Sequence, residues 1–189
     1  MGVLVHFDCD ASWGETRVCD ELITRDLAHA GLTWGRWEVD AALAHASLQE
    51  LMAAPPRDLA LLRDRFGVCW IDRIRWSGSA MQHESMTEHL SAEAEVRCFV
   101  EGSGLLYIRV ADGFLGLLCE AGEWVALPAG TRHRFDTGDA PGFDALRLFS
   151  GRKGTPARPT GAASLALPPL DDFVNEMLRL TGLSADLED

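Results

Sequence analysis

Between residues 68 and 150 the chain repeats one pattern, a short strand-like run followed by a turn that contains glycine. Residues 68–76 alternate with period two, which places Trp70, Ile74 and Trp76 on one face. Strand-like runs follow at 95–100, 105–110, 114–119, 124–127 and 145–149. Gly102-Ser103-Gly104, Asp112-Gly113, Gly122, Gly130 and Gly138 punctuate them. Short strands at regular spacing bury their apolar faces only by packing sheet on sheet or by closing into a barrel. A β-sandwich or barrel is therefore the expected centre of the fold.

Helical periodicity brackets this region. Residues 16–30 carry Val18, Leu22, Ile23 and Leu27 at helical spacing and stop at Gly31; a short strand is expected around Trp37. Residues 43–54 read as a second helix, ended by Pro55-Pro56, and 58–66 as a third, closed by Gly67. Residues 151–169 are rich in Gly, Pro and small side chains and read as a loop. In the helix expected at 170–182, Leu170, Phe173, Val174, Met177 and Leu178 share a face, which must bury on the strands, on a partner or over a site entrance. The expected organisation is one domain over 1–189: a helical part (1–67), a β-barrel (68–150), a loop (151–169) and a closing helix (170–182).

Charge and composition remove whole classes of partner. A net charge of −12 argues against nucleic acid or an anionic membrane surface, since both select a basic face. No apolar run approaches the roughly 20 residues that span a bilayer, and the N-terminal residues lack a secretory pattern. The 5 cysteines are odd in number, scattered, and without a Cys-x-x-Cys pair. They fit reduced, mostly buried thiols in a cytoplasmic protein.

The chemistry concentrates in two places. His89, Ser91, Glu95, Arg97 and Phe99 share one parity, so a regular backbone points them the same way. Further along, Gly122-x5-Pro128-x-Gly130-x2-His133 supplies a strand, a tight turn and a histidine at the start of the next strand. Two histidines and a carboxylate so arranged suit a metal site, and an inward Arg97 calls for an anion. Arg134 has the opposite parity to His133 and belongs outside. Glu93 is a candidate for contact with substrate, and Glu88 for a hydrogen bond to a ligand imidazole. His6, His29 and His45 lie outside the β-region and read as solvated surface. His83 shares the parity of His89 but lies up to about 20 Å along an extended strand.

These residues carry a family resemblance. The second segment resembles the second cupin motif, with Thr137 where an Asn is often found. His89-x-Ser91-x3-Glu95-x6-Gly102 resembles the first cupin motif except at Ser91, where a second histidine is usual. More narrowly, "EVRCFVEGSGLLYIRV", "LCEAGEWVALPAGTRHRFDTG", "ALRLF" and "AGLTWGRWEVD" resemble the acireductone dioxygenase family over roughly residues 16–150. The resemblance implies an α+β cupin, a double-stranded β-helix (jelly-roll) barrel with N-terminal helices before it and a C-terminal helix after it. In that family three histidines and a glutamate hold iron(II) or nickel(II), and an enediol substrate reacts with dioxygen. The resemblance places metal ligands on His89, Glu95 and His133, and the substrate-binding arginine on Arg97.

Departures cluster at the site: Ser91, Ala94, Arg134, and Arg152-Lys153-Gly154-Thr155-Pro156 after the last strand. Loss of the second imidazole leaves the two-histidine, one-carboxylate set of non-haem iron oxygenases, with an extra open position. The leading expectation is a metal-dependent cupin dioxygenase using one Fe(II) or Ni(II) per chain. Its substrates would be dioxygen and a small chelating metabolite, an enediol, a hydroxy keto acid or a thiol-bearing amino acid such as cysteine. Glu93 and Arg97 would be its catalytic groups, in a monomer or homodimer. An oxygen-independent isomerase or lyase, with Glu93 or Glu95 as base, and a metal-free binding cupin remain open.

Overall fold

The computed structural model describes residues 2–76, 87–138, 142–151, 157–162 and 166–181. His83, the segment 152–156, Gly182 and the acidic tail lie outside the described residues. The strands are β1 (Val3–Phe7), β2 (Trp13–Arg17), β3 (Thr33–Arg36), β4 (Trp70–Trp76), β5 (His89–Leu90) and β6 (Glu95–Glu101). They continue with β7 (Ser103–Val110), β8 (Gly113–Glu120), β9 (Glu123–Leu127), β10 (Arg132–Asp136), β11 (Phe143–Phe149) and β12 (Arg158–Pro159). The helices are α1 (Asp20–His29), α2 (Leu48–Ala53), α3 (Arg57–Phe66) and α4 (Leu170–Thr181).

The strands form a 7-stranded sheet, β12-β5-β10-β7-β8-β1-β2, and a 5-stranded sheet, β3-β9-β6-β11-β4. Leu106, Ile108 and Phe135 from the first share one core cluster with Phe99, Val125 and Ala145 from the second, so the sheets pack face to face. This is the expected cupin jelly roll, built as two opposed sheets.

The N-terminal part is not only helical. β1 and β2 extend the larger sheet through Leu4↔Arg17 and Val5↔Gly116, and β3 edges the smaller one through Trp34↔Val125. Val3-Leu-Val-His-Phe7 is too short to show a period, and β2 is a largely polar edge strand, so neither carries a clear signal. The expected helix over 16–30 consequently starts later, with Asp20 and Glu21 in its first turn, and Val18 is left exposed. The expected helix over 43–54 is divided. A 3-10 turn occupies Ala41–Ala44, and Ser47 then opens α2 with a capping box to Glu50. The strand expected around Trp37 ends at Arg36, and the Trp37 N–H bonds the Gly122 carbonyl instead. Gly67, at φ 60°, closes α3 in the left-handed conformation that glycine adopts without strain.

Helices cover the outer faces. Leu51, Leu59 and Leu62 of α2 and α3 pack on Val96, Cys98, Leu146 and Leu148 of the smaller sheet. Arg73 reinforces this contact, bidentate to Asp144 at 2.8 and 2.6 Å and donating to the Ala46 carbonyl. Since β4 is covered on that side, its outer residue Ile71 is 1% exposed, while Trp70 on the expected apolar face is 42% exposed. Helix α4 settles its face on the outside of the larger sheet, where Leu170 and Phe173 meet Val3, Val5, Phe7 and Tyr107. Each fully buried side chain of this size contributes about 1.5–3 kcal/mol. Asp136 of β10 accepts from the Leu170 N–H at 2.9 Å, and the Tyr107 hydroxyl donates to the Pro168 carbonyl at 2.7 Å. Cys98 and Cys119 are buried, whereas Cys9, Cys19 and Cys69 are exposed. No helix among the described residues is long and apolar enough to cross a membrane.

Candidate metal centre and its ionic wall

The larger sheet supplies imidazoles. His89 on β5 and His133 on β10 are register partners, with ring centroids 4.4 Å apart and planes inclined by 60°. Each Nδ1 meets a backbone carbonyl, Thr87 at 2.9 Å for His89 and Thr131 at 3.0 Å for His133. A carbonyl only accepts, so Nδ1 carries the proton and Nε2 keeps its lone pair, as a metal-binding imidazole requires. The Nε2 of His133 is buried with no hydrogen-bond partner. Burial, with the Arg97 charge adding to it, holds His133 at about 4 and also lowers His89. Both rings are neutral near pH 7.

The smaller sheet supplies charges. Arg97 donates from Nε at 3.0 Å and Nη2 at 2.6 Å to a single oxygen of Glu95, and its guanidinium lies over the Phe135 ring at 4.3 Å. Burial works to raise the Glu95 carboxyl, but the Arg97 and Arg147 charges and the Arg97 hydrogen bond outweigh it, so the group stays ionised. The Glu95 and Arg97 charges also act on both imidazoles, raising and lowering their basicity respectively.

Arg147 belongs to this wall and was not found in the sequence. On β11 it stands directly opposite Arg97 on one side and Asp72 on the other, and it forms an ion pair with Asp72. Directly opposed residues of an antiparallel pair share a face, and like charges there repel. Each arginine is compensated, Arg97 by Glu95 two residues earlier on β6 and Arg147 by Asp72 on β4. Arg97 Nη1 and Arg147 Nε remain buried and unpartnered. Two such donors on one face of the sheet suit an oxyanion. The available signal was a charge on the parity of Ala145 and Phe149, but β11 is apolar on both faces, which hides it.

The shared parity from His89 to Phe99 does not run along one strand. The chain leaves the larger sheet after Leu90 and enters the smaller at Glu95, so the residues meet because the sheets oppose. The turn between them uses Ser91: its hydroxyl accepts from the Glu93 N–H at 3.2 Å and its carbonyl from the Gly130 N–H at 2.8 Å. Glu93 is half-buried, with its carboxylate against Gly151, where any side chain would collide with it. Glu88 does not bond an imidazole; its carboxylate takes Thr160 and Arg109 instead. Arg134 points outward as expected, stacking on Tyr107 at 4.5 Å and donating to the Leu167 carbonyl.

The donor set fits a divalent transition metal in kind: two neutral imidazoles with available Nε2 atoms and an ionised carboxylate. Among the described residues no group of three His, Cys, Asp or Glu side chains is placed to hold a metal ion. Glu95 is engaged by Arg97, and Ser91 is spent on its own turn.

Opposed antiparallel sheets with such a donor set between them define a cupin. The model of the "ARD/ARD' family" matches residues 79–157. The acireductone dioxygenase of Stutzerimonas stutzeri (strain A1501) is 37% identical over 160 residues, covering 80% of this chain and 88% of that protein. That of Synechococcus sp. (strain RCC307) is 34% identical over 149 residues, covering 74% and 79%. The structure of "Acireductone dioxygenase from Bacillus anthracis with cadmium ion in active center" superposes with a TM-score of 0.65 at 22% identity, covering 82% of this chain and 96% of that one. The chain belongs to the acireductone dioxygenase family, a family of metal-dependent dioxygenases.

Proposed function

We propose that this chain is a dioxygenase that holds one Fe(II) or Ni(II) ion through His89, His133 and Glu95. Its substrate is a small anionic chelator of the enediol or hydroxy keto acid type. The supporting observation is the buried, unpartnered Nε2 of His133 beside His89 and an ionised Glu95. When bound, the ion supplies a Lewis-acid centre at which an enediol and dioxygen can meet.

The chain's own groups do the rest. Thr87 and Thr131 carbonyls fix both imidazole tautomers, so no proton must leave His89 or His133 before they donate. Arg97 Nη1 and Arg147 Nε take the substrate's negative end and orient it. The same two guanidinium groups repel an ammonium, which ranks cysteine below an enediol as substrate. Ser91 in place of an imidazole leaves the site with three protein ligands, which weakens metal binding and leaves one more position for substrate or water. Glu93 stands close in sequence to Glu95 and is the group for proton transfer at the substrate's edge; Glu93→Gln would lower turnover without lowering metal content.

The test is metal content per chain after anaerobic reconstitution with Fe(II) or Ni(II), beside His133→Ala. Stoichiometric metal lost in the variant supports the reading, and oxygen uptake with enediol substrates then identifies the reaction. Background metal in both proteins overturns it. Turnover that persists without oxygen would move the assignment to an isomerase or lyase.

A further inference from the structure

His89 sits on a strand of two residues, and what holds that strand on its outer side lies far along the chain. Strand β12 pairs with β5 through Arg158↔Leu90 and Pro159↔His89. Proline has no N–H to donate, so the next residue carries the bond: Thr160 N–H donates to the Glu88 carbonyl at 3.0 Å. The Thr160 hydroxyl donates to Glu88 Oε1 at 2.7 Å. The other carboxylate oxygen accepts from Arg109 Nε at 2.5 Å, and Arg109 is steadied over the Phe114 ring at 4.5 Å.

The sheet order gives this contact its meaning. Arg109 lies on β7, Glu88 immediately precedes β5, and β10 runs between those two strands. Glu88 therefore reaches across the strand that carries His133 while Thr160 grips it from the opposite side. The carboxylate is the common point of β12, β5 and β7, and the two histidine strands lie within its span.

We propose that Glu88, Thr160 and Arg109 form a staple that sets the spacing and ring orientation of His89 against His133, with Thr160 and Glu88 as positioning residues for the metal centre. This deepens the function proposed above and rests on it for the metal. The link is mechanical: Glu88 adjoins His89 in the chain, and Thr87, whose carbonyl fixes the His89 ring, adjoins Glu88. Loosening the staple frees both the backbone and the anchor of one ligand.

The experiment uses the full-length protein with Thr160→Val, which keeps shape and removes the hydroxyl, and Thr160→Ser, which restores it. Ni(II) affinity is measured by titration calorimetry, and the imidazole nitrogen and proton signals of His89 and His133 are recorded in metal-free protein. Supporting residues of this kind typically change metal affinity about 10–100-fold. Thr160→Val should weaken Ni(II) at least about tenfold and mix the His89 tautomers, while Thr160→Ser keeps wild-type values in both. Wild-type affinity and unchanged His89 signals in Thr160→Val would overturn the staple. If wild-type protein binds no Ni(II), the metal reading fails by itself. The metal-free His89 signals then still decide whether Thr160 positions that ring. A fall in melting temperature without movement of the His89 signals marks a merely structural contact and also overturns the proposal.

Discussion

The two sheets meet the same centre with different chemistry. On the larger sheet the inward groups are neutral imidazoles, His89 and His133, each held by a backbone carbonyl. On the smaller they are ions held in pairs, Glu95 with Arg97 along β6 and Arg147 with Asp72 across β11 and β4. Where the larger sheet does meet ions they are partly exposed, as with Glu88 and Arg109 and again at its β1–β2 edge. There Asp26 of α1 takes Arg17, Arg25 and His6. The division is physically sensible. Lone-pair donors must stay neutral, which burial secures for imidazole, whereas a buried ion survives only with a partner.

The comparison breaks most visibly if the buried pair can be opened cheaply. Arg97→Met strands an ionised Glu95, and loss of one member of a buried pair costs about 3–5 kcal/mol. At roughly 2–4 °C per kcal/mol for a chain of this size, the melting temperature should fall by about 6–20 °C. Glu95→Gln in the same chain should restore much of it. Arg147→Met, whose ion pair is half-exposed, should cost under about 1 kcal/mol. Equal melting of the two single variants would abolish the distinction between them.

A smaller effect sharpens the donor side. Ser91→His adds an imidazole at the position where the resemblance places a ligand, and should tighten Ni(II) binding by about tenfold, or about 1.4 kcal/mol. It also gives up the bond to the Glu93 N–H, at about 1 kcal/mol of stability. An unchanged affinity would mean that the turn does not aim residue 91 into the centre.

The smallest effect lies at the edge. Burial works to raise Asp26, but hydrogen bonds from Arg17, Arg25 and His6 outweigh it and bring the group to about 2, below the ordinary 3.8. A depressed acid stabilises fully above its unfolded value, and the contribution is lost as pH falls through the folded one. Asp26→Asn should therefore melt slightly below wild type near neutrality, by under about 1 kcal/mol. That gap should shrink as pH falls from 3.8 and close below about 2. A gap that stays undiminished down to about pH 2 would show that the contribution is not ionic.

The placement of several of these side chains was legible because motif spacing and period-two parity are local properties. His133 after its Pro/Gly turn, Glu95 and Arg97 on an inward parity, and the outward Arg134 follow from a few neighbouring residues. What escaped depends on pairing between distant strands. Arg147 and Asp72 acquire their meaning only from register, and β2 is an edge strand whose polar residues mimic a loop. Thr160 lies in a Gly- and Pro-rich stretch that reads as linker, and its partner Glu88 is far away in sequence. The Ser91 hydroxyl, expected to mark an opening in the ligand set, is also a turn-forming group, which only the backbone reveals.

The placing of the cysteines bears on how such a protein ages. Oxygen chemistry leaks reactive species, and thiols are attacked as thiolates. Burial raises Cys98 and Cys119 far above an ordinary thiol, so the two nearest the interior stay protonated and inert. Wear through repeated turnover should therefore begin at Cys9, Cys19 and Cys69 on the surface, where a lost thiol costs the fold little, and reach the interior last.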